Sequence, residues 1–227
     1  ASDVYKRQVP AFVEADVHGD IADDLTVFYF DIFNIHTYEP LKDFPKLLDG
    51  IRAYLKRHGI ADRPIWFTEN GSAAEGPGRA DSYIAGIKAH SPEQELLVAE
   101  YLPKMMIYMQ SLGVDRDFFF VLPPYSEQLG AKDWGLMRRD YTVKPGFAAF
   151  ATLVDQLGDA VPEGETDVGD GVKGYLYRHR DGSRTLVCWS ISELDTEPVR
   201  PGLSAADPKL RRIVLPPQEG PLCGTCL

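Results

Sequence analysis

The residues best suited to chemistry in this chain fall at the ends of three apolar stretches. Phe33-Asn-Ile-His-Thr-Tyr38 delivers Asn34, His36 and Tyr38. Ile65-Trp-Phe-Thr68 runs into Thr68, Glu69 and Asn70, and Phe118-Phe-Phe-Val-Leu122 is followed by Tyr125, Ser126 and Glu127. A carboxylate placed where an apolar strand leaves the core can attack an electrophile or exchange a proton. Glu69 is the sharpest of the group; its plainer alternative is a solvent-facing glutamate or an ion-pair partner. Side chains alternate along a strand, so His36 and Tyr38 point to the same side. A histidine bonded to a backbone carbonyl and an ordinary strand-end tyrosine are their plainer alternatives.

These strand ends need elements to hold them. The pattern predicts a strand over Asp31–Tyr38 and a helix over Leu41–His58, whose Phe44, Leu47, Leu48, Ile51 and Leu55 recur at three- and four-residue spacing. Gly59 stops that helix, and Pro64–Thr68 forms the next strand. After a long Gly/Ser/Ala-rich loop, Ser91 caps a helix over Pro92–Leu112 that Pro103 is expected to kink or split. Phe118–Leu122 reads as a strand buried on both faces, and Lys144–Leu157 as a helix with Phe147, Phe150 and Leu153 or Val154 on its apolar stripe. Upstream, Val9–Val13 reads as a strand and Ile21–Phe30 as a short helix. Strand–helix alternation with buried strands implies a parallel sheet, either doubly wound or closed into a barrel. A barrel carries its active site at the C-terminal strand ends, where these polar residues fall.

Past Gly158 the texture changes to turns and period-two alternation. Val172–Tyr177, Thr185–Ser190 and Arg211–Leu215 read as antiparallel strands, with Asp181-Gly182 as a hairpin turn between the first two. The expected organisation is a non-native leader over 1–8, a partial barrel over 9–158, a small β-sandwich-like domain over 159–220 and a truncated tail over 221–227.

Composition narrows the function. With 227 residues, a net charge of −10 and a pI near 5.0, the chain lacks the clustered Lys and Arg that hold phosphates. A nucleic-acid or anionic-membrane partner is not expected, and no apolar run has membrane-spanning length. Cys188 reads as a core residue. Cys223 and Cys226 make a lone CxxC with neither a second pair nor a histidine to complete a zinc site. No cofactor or metal is expected.

One family resemblance joins these observations. Trp66-Phe-Thr-Glu-Asn-Gly71 resembles the seventh-strand nucleophile motif of the clan A glycoside hydrolases, which are (β/α)8 barrels. Thr68-Glu-Asn-Gly71 is similar to the family 1 form of that motif, while the remaining context looks closer to family 39. Phe33-Asn-Ile-His-Thr-Tyr38 is similar to the clan's sixth-strand His-x-Tyr element, and Trp134–Phe147, with its Lys-Pro-Gly-Phe turn, to its closing segment. The resemblance implies an α/β fold: the C-terminal half of a (β/α)8 barrel, about strands five to eight, followed by a small antiparallel β domain. It implies a retaining O-glycosidase in which Glu69 is the nucleophile, Tyr38 donates a hydrogen bond to it and His36 lies beside it. Asn34, Asn70, Tyr125 and Trp134 would contact a carbohydrate substrate.

Two departures qualify the match. No Trp stands on the eighth strand, and no Asn-Glu pair, the clan's acid/base signature, occurs in the sequence. The acid/base is therefore expected on a missing N-terminal half, leaving this chain inactive alone. Two alternatives remain open: a metal-dependent barrel hydrolase or isomerase using Glu14, Asp16 and His18 with His36 and Glu69, and a non-catalytic carbohydrate-binding protein.

Overall fold

The computed structural model describes residues 30–72, 92–127, 132–196 and 222–223. Three parallel strands form the first sheet, in the order β1 (Phe33–Thr37), β2 (Ile65–Asn70) and β3 (Arg116–Phe119). A helix follows each of the first two: α1 (Phe44–Arg57), entered through a 3-10 turn at Leu41–Asp43, and α2 (Pro92–Ser111). Helix α1 buries Phe44, Leu48, Ile51 and Leu55, the stripe its spacing dictates. Helix α2 is not split at Pro103. Leu102, Met105 and Ile107 are buried on either side of it, and that burial outweighs one missing backbone hydrogen bond.

The sheet is not apolar on both faces. Phe33, Thr37, Ile65, Phe67 and Asn70 are buried, whereas Asn34, His36 and Phe118 lie exposed on the opposite face, with Trp66 beside Phe118 at a ring distance of 6.1 Å. The stretch expected to be a strand buried on both faces, Phe118–Leu122, therefore differs. Strand β3 starts earlier and stops at Phe119, and Phe118 and Leu122 are 47% and 49% exposed. Its apolar character serves the open face and the turn beyond, where the Phe120–Val121 peptide is cis.

Register decides what β2 presents. Against β1, Ile35 pairs with Phe67 and His36 with Glu69; against β3, Phe67 pairs with Asp117 and Asn70 with Phe119. Strand β2 thus carries one residue more than either neighbour across Thr68–Glu69, which is a β-bulge. Alternation restarts there. Thr68 and Glu69 both stay on the open face, and Asn70 turns into the buried one.

A short antiparallel pair, β4 (Ser126–Glu127) and β5 (Lys132–Asp133), leads into α3 (Pro145–Leu157), which opens on Pro145 as a first-turn proline. Val154 is exposed on α3, so its stripe runs through Leu153 and Leu157. The last sheet runs β6 (Val161–Glu165), β7 (Val172–Arg178), β8 (Arg184–Ser190) and β9 (Leu222–Cys223), antiparallel except between β8 and β9. Strand β6 occupies a stretch whose glycines and prolines read as turns. Tyr175, Tyr177 and Val187 of this sheet pack with Ile107, Leu153 and Leu157 of α2 and α3. Cys188 is half-buried rather than a core residue.

A buried polar cluster ties the same layers together. Lys104 on α2 pairs with Glu100 at 2.7 Å and Asp195 at 3.2 Å, and Trp189 Nε1 donates to Asp195 at 3.0 Å. No helix among the described residues is long and apolar enough to cross a membrane. Residues 9–29, Ser91, residues 211–215 and Cys226 lie outside the described residues, and with them Glu14, Asp16 and His18.

Candidate active site

The bulge in β2 and the period of β1 bring Glu69, His36 and Tyr38 together. The Tyr38 hydroxyl donates to Glu69 Oε1, and His36 Nδ1 lies 3.2 Å from Glu69 Oε2. Each carboxylate oxygen thus has its own partner, and the carboxyl plane is held from two sides. Burial, then the hydrogen bond to Glu69 and the charges of Glu69 and Glu127, push the Tyr38 phenol far above its usual range, so it remains a proton donor. One residue pair back, the Thr68 hydroxyl donates to Asn34 Oδ1, fastening β2 to β1 beneath the carboxylate.

An aromatic wall continues from Tyr38. Its ring lies 4.6 Å from that of Trp134; Trp134 meets Phe120 at 6.2 Å, and Phe120 meets Tyr125 edge-on at 5.2 Å. The Tyr125 hydroxyl donates to Glu127 Oε1 at 3.3 Å. Trp134 sits in a turn fixed by a buried ion pair: Lys144 Nζ lies 2.6 Å from Asp133 Oδ2, while Asp133 Oδ1 accepts the Gly135 amide. Burial lowers the Lys144 amine, and Asp133 offsets this in part. The Lys-Pro-Gly-Phe element therefore acts twice, opening α3 through Pro145 and anchoring the Trp134 turn through Lys144.

No family model matches this chain, and no curated protein matches it. Solved structures do. The chain is similar to part of a family 39 glycoside hydrolase. One similar structure is that of a glucosidase from Croceicoccus marinus, at 19% identity over 67% of this chain and 31% of the other, with a TM-score of 0.48. A family 39 glycoside hydrolase from Bacteroides cellulosilyticus WH2 shares 16% identity over 64% of this chain and 27% of its own, with a TM-score of 0.43. A family 39 β-xylosidase from Caulobacter crescentus shares 19% over 78% and 34%, also at 0.43. The chain thus spans about a third of the length of these structures.

Of the residues singled out from sequence, Glu69, His36, Tyr38 and Trp134 form one contact set, Asn34 lies beneath them, and Tyr125 joins through Phe120. Asn70 stands apart. It is fully buried, on the opposite face from Glu69, and its amide donates to Asp117 Oδ1 at 3.2 Å. The bulge is the reason, since a regular strand would have left Asn70 on the open side and Glu69 in the core. Phe120 and Glu127 carry parts of the site that sequence reasoning passed over or left unused. Phe120 was hidden in a run read as core; its exposure depends on where β3 ends. Gly71 had no evident role, yet a Cβ there would sit 2.7 Å from the Phe120 carbonyl oxygen. Only glycine lets β3 approach this closely. No group of three metal-ligating side chains comes together among the described residues.

Proposed function

We propose that this chain carries the nucleophile-bearing part of a retaining glycoside hydrolase barrel, with β1, β2 and β3 as its sixth to eighth strands. The observation that carries this reading is the double hold on Glu69, by Tyr38 on one oxygen and His36 on the other. Retaining hydrolysis needs a carboxylate fixed to attack an anomeric carbon, and a second carboxyl, about 5–5.5 Å away, to protonate the leaving oxygen. Glu69 attacks, and the bond to the leaving group breaks as the glycosyl ester forms. Water, deprotonated by the second carboxyl, then cleaves the ester. Tyr38 stays protonated and keeps the free carboxylate oriented, while His36 fixes its second oxygen. Tyr125 and Trp134 offer aromatic faces to the C–H surface of a sugar, and Asn34 holds the rim. The second carboxyl comes from outside the residues described, in keeping with the absence of any Asn-Glu pair. The antiparallel sheet of β6 to β9, packed on α2 and α3, would then be the part that follows the barrel.

A 2-deoxy-2-fluoroglycosyl fluoride tests this without needing the acid, because fluoride leaves unprotonated. Incubating the chain with a panel of sugar configurations should leave one glycosyl unit on Glu69, located by peptide mass spectrometry. Label on another carboxylate, or no label across the panel, rejects the assignment.

A further inference from the structure

Behind Glu69, on the buried side of the same bulge, two polar side chains face each other without enough partners. Asn70 is fully buried and donates one amide hydrogen to Asp117 Oδ1 at 3.2 Å. Among the described residues its own Oδ1 has no partner, and neither has Asp117 Oδ2, although both atoms are shielded from solvent. A buried amide oxygen and a buried carboxylate oxygen left unsatisfied together are expensive. A single proton on the carboxyl would resolve both, the acid O–H donating to the amide oxygen while the amide N–H donates to the acid carbonyl.

The surroundings favour that state. Asp117 borders an open cleft of about 230 Å³ whose other walls are Phe118, Phe119, Leu122, Leu136 and Phe150, all apolar. From α2 the facing titratable group is Tyr101, whose hydroxyl is already spent on the Glu39 carbonyl at 3.0 Å. Among its neighbours in sequence, Asp115 accepts the Ile65 amide and Arg116 donates to the Asp115 carbonyl. No cation among the described residues forms an ion pair with Asp117.

We infer that Asp117 sits in the fold as the neutral acid, paired through both its oxygens with the Asn70 amide, and is thereby a positioning residue that holds the β2 bulge and turns Glu69 outward. Burial, opposed only in part by the Asn70 and Phe118 hydrogen bonds, pushes the Asp117 carboxyl up to about 7. The geometry locks where it matters. Asn70 is the first residue after the bulge, its carbonyl accepts the Phe120 amide at 2.7 Å, and it pairs with Phe119 across the ladder. Losing the side-chain pair would free β2 to return to regular alternation, which would drive Glu69 toward the core. The inference concerns strand geometry and holds whether or not Glu69 attacks a glycoside, so its tests use no sugar.

Carboxyl carbon NMR of the chain labelled at aspartate, with Asp117→Asn to assign the signal, reads the proton directly. The expected midpoint for Asp117 is near 7, about three pH units above an ordinary aspartate. A folded value above the unfolded one means that the folded chain retains a proton the unfolded chain releases, so melting temperature should fall as pH rises from about 4 to about 7. Asp117→Asn, which mimics the neutral acid, should remove most of that fall and keep the downfield resonance of the hydrogen-bonded Tyr38 hydroxyl. Asp117→Ala should lose stability across the range and lose that resonance. An Asp117 midpoint near 4, or an Asn variant as damaged as the Ala variant, overturns the neutral pair. A Tyr38 resonance that survives in Asp117→Ala overturns the positioning role.

Discussion

Glu69 is partly exposed and, among the described residues, is held by the Tyr38 hydrogen bond and the nearby His36 ring, so its removal should cost function rather than folding. Glu69→Gln is expected to abolish glycosyl labelling while leaving the far-ultraviolet circular dichroism and the thermal transition close to those of the parent. Tyr38→Phe keeps the ring against Trp134 and removes one donor. The expected result is a roughly 10–1000-fold slower labelling rate, the range for one lost active-site hydrogen bond, with the labelled residue unchanged. A rate within a factor of two would make Tyr38 a packing residue. Lys144 is a different case, since its amine and the Asp133 carboxylate are both buried. Lys144→Met removes the cation paired with that buried carboxylate, an effect of about 3–5 kcal/mol by urea denaturation. The double variant Lys144→Met with Asp133→Leu should recover much of it, and a double-mutant cycle showing no coupling would refute the pairing.

At the scale of elements, the site depends on how closely β2 and β3 approach. Adding a methyl group at Gly71 meets a backbone oxygen, which cannot rotate away as a flexible side chain could. Gly71→Ala is therefore expected to destabilise by about 1–3 kcal/mol and to disturb Phe120 and its contacts with Trp134 and Tyr125. Tryptophan fluorescence, together with urea denaturation, reads both effects. Unchanged stability would show that β3 yields freely. The hairpin between β7 and β8 poses the opposite situation, because its chemistry is local. The Asp181 carboxylate accepts the Ser183 amide at 2.9 Å, and Gly182 takes a positive φ of 86°. A turn of this kind could be read from two residues.

For the whole molecule, the last sheet is held to the helices by two kinds of contact. One is apolar, through Tyr175, Tyr177 and Val187 against Ile107, Leu153 and Leu157; the other is the Lys104 cluster with Glu100, Ser192 and Asp195. Lys104→Met takes away the ammonium shared by the Glu100 and Asp195 carboxylates, in a site where the lysine side chain is only 5% exposed. The expectation is a loss of about 3–5 kcal/mol. Limited proteolysis should then cut sooner near Ser192–Thr196 than in the parent. Equal cleavage rates would mean that the apolar contacts alone hold the sheet.

What the sequence determined by itself was local. Apolar spacing alone located α1 and α3, since a buried stripe needs only the period of the helix. Two polar strand ends marked Glu69, His36 and Tyr38 as candidates, because strands of this length deliver their last residues to one rim. The Asp181-Gly182 turn was legible for the same reason. Tertiary structure decided the rest. Continuity through Pro103 rests on burial around it, and the half-open character of β3 rests on which face is covered. Most of all, the bulge that leaves Glu69 outward and Asn70 inward is a relation between β2 and both its neighbours. Period-two reasoning assigns faces along one strand, but a one-residue offset against a partner reverses every assignment beyond it. Only the paired backbones specify that offset.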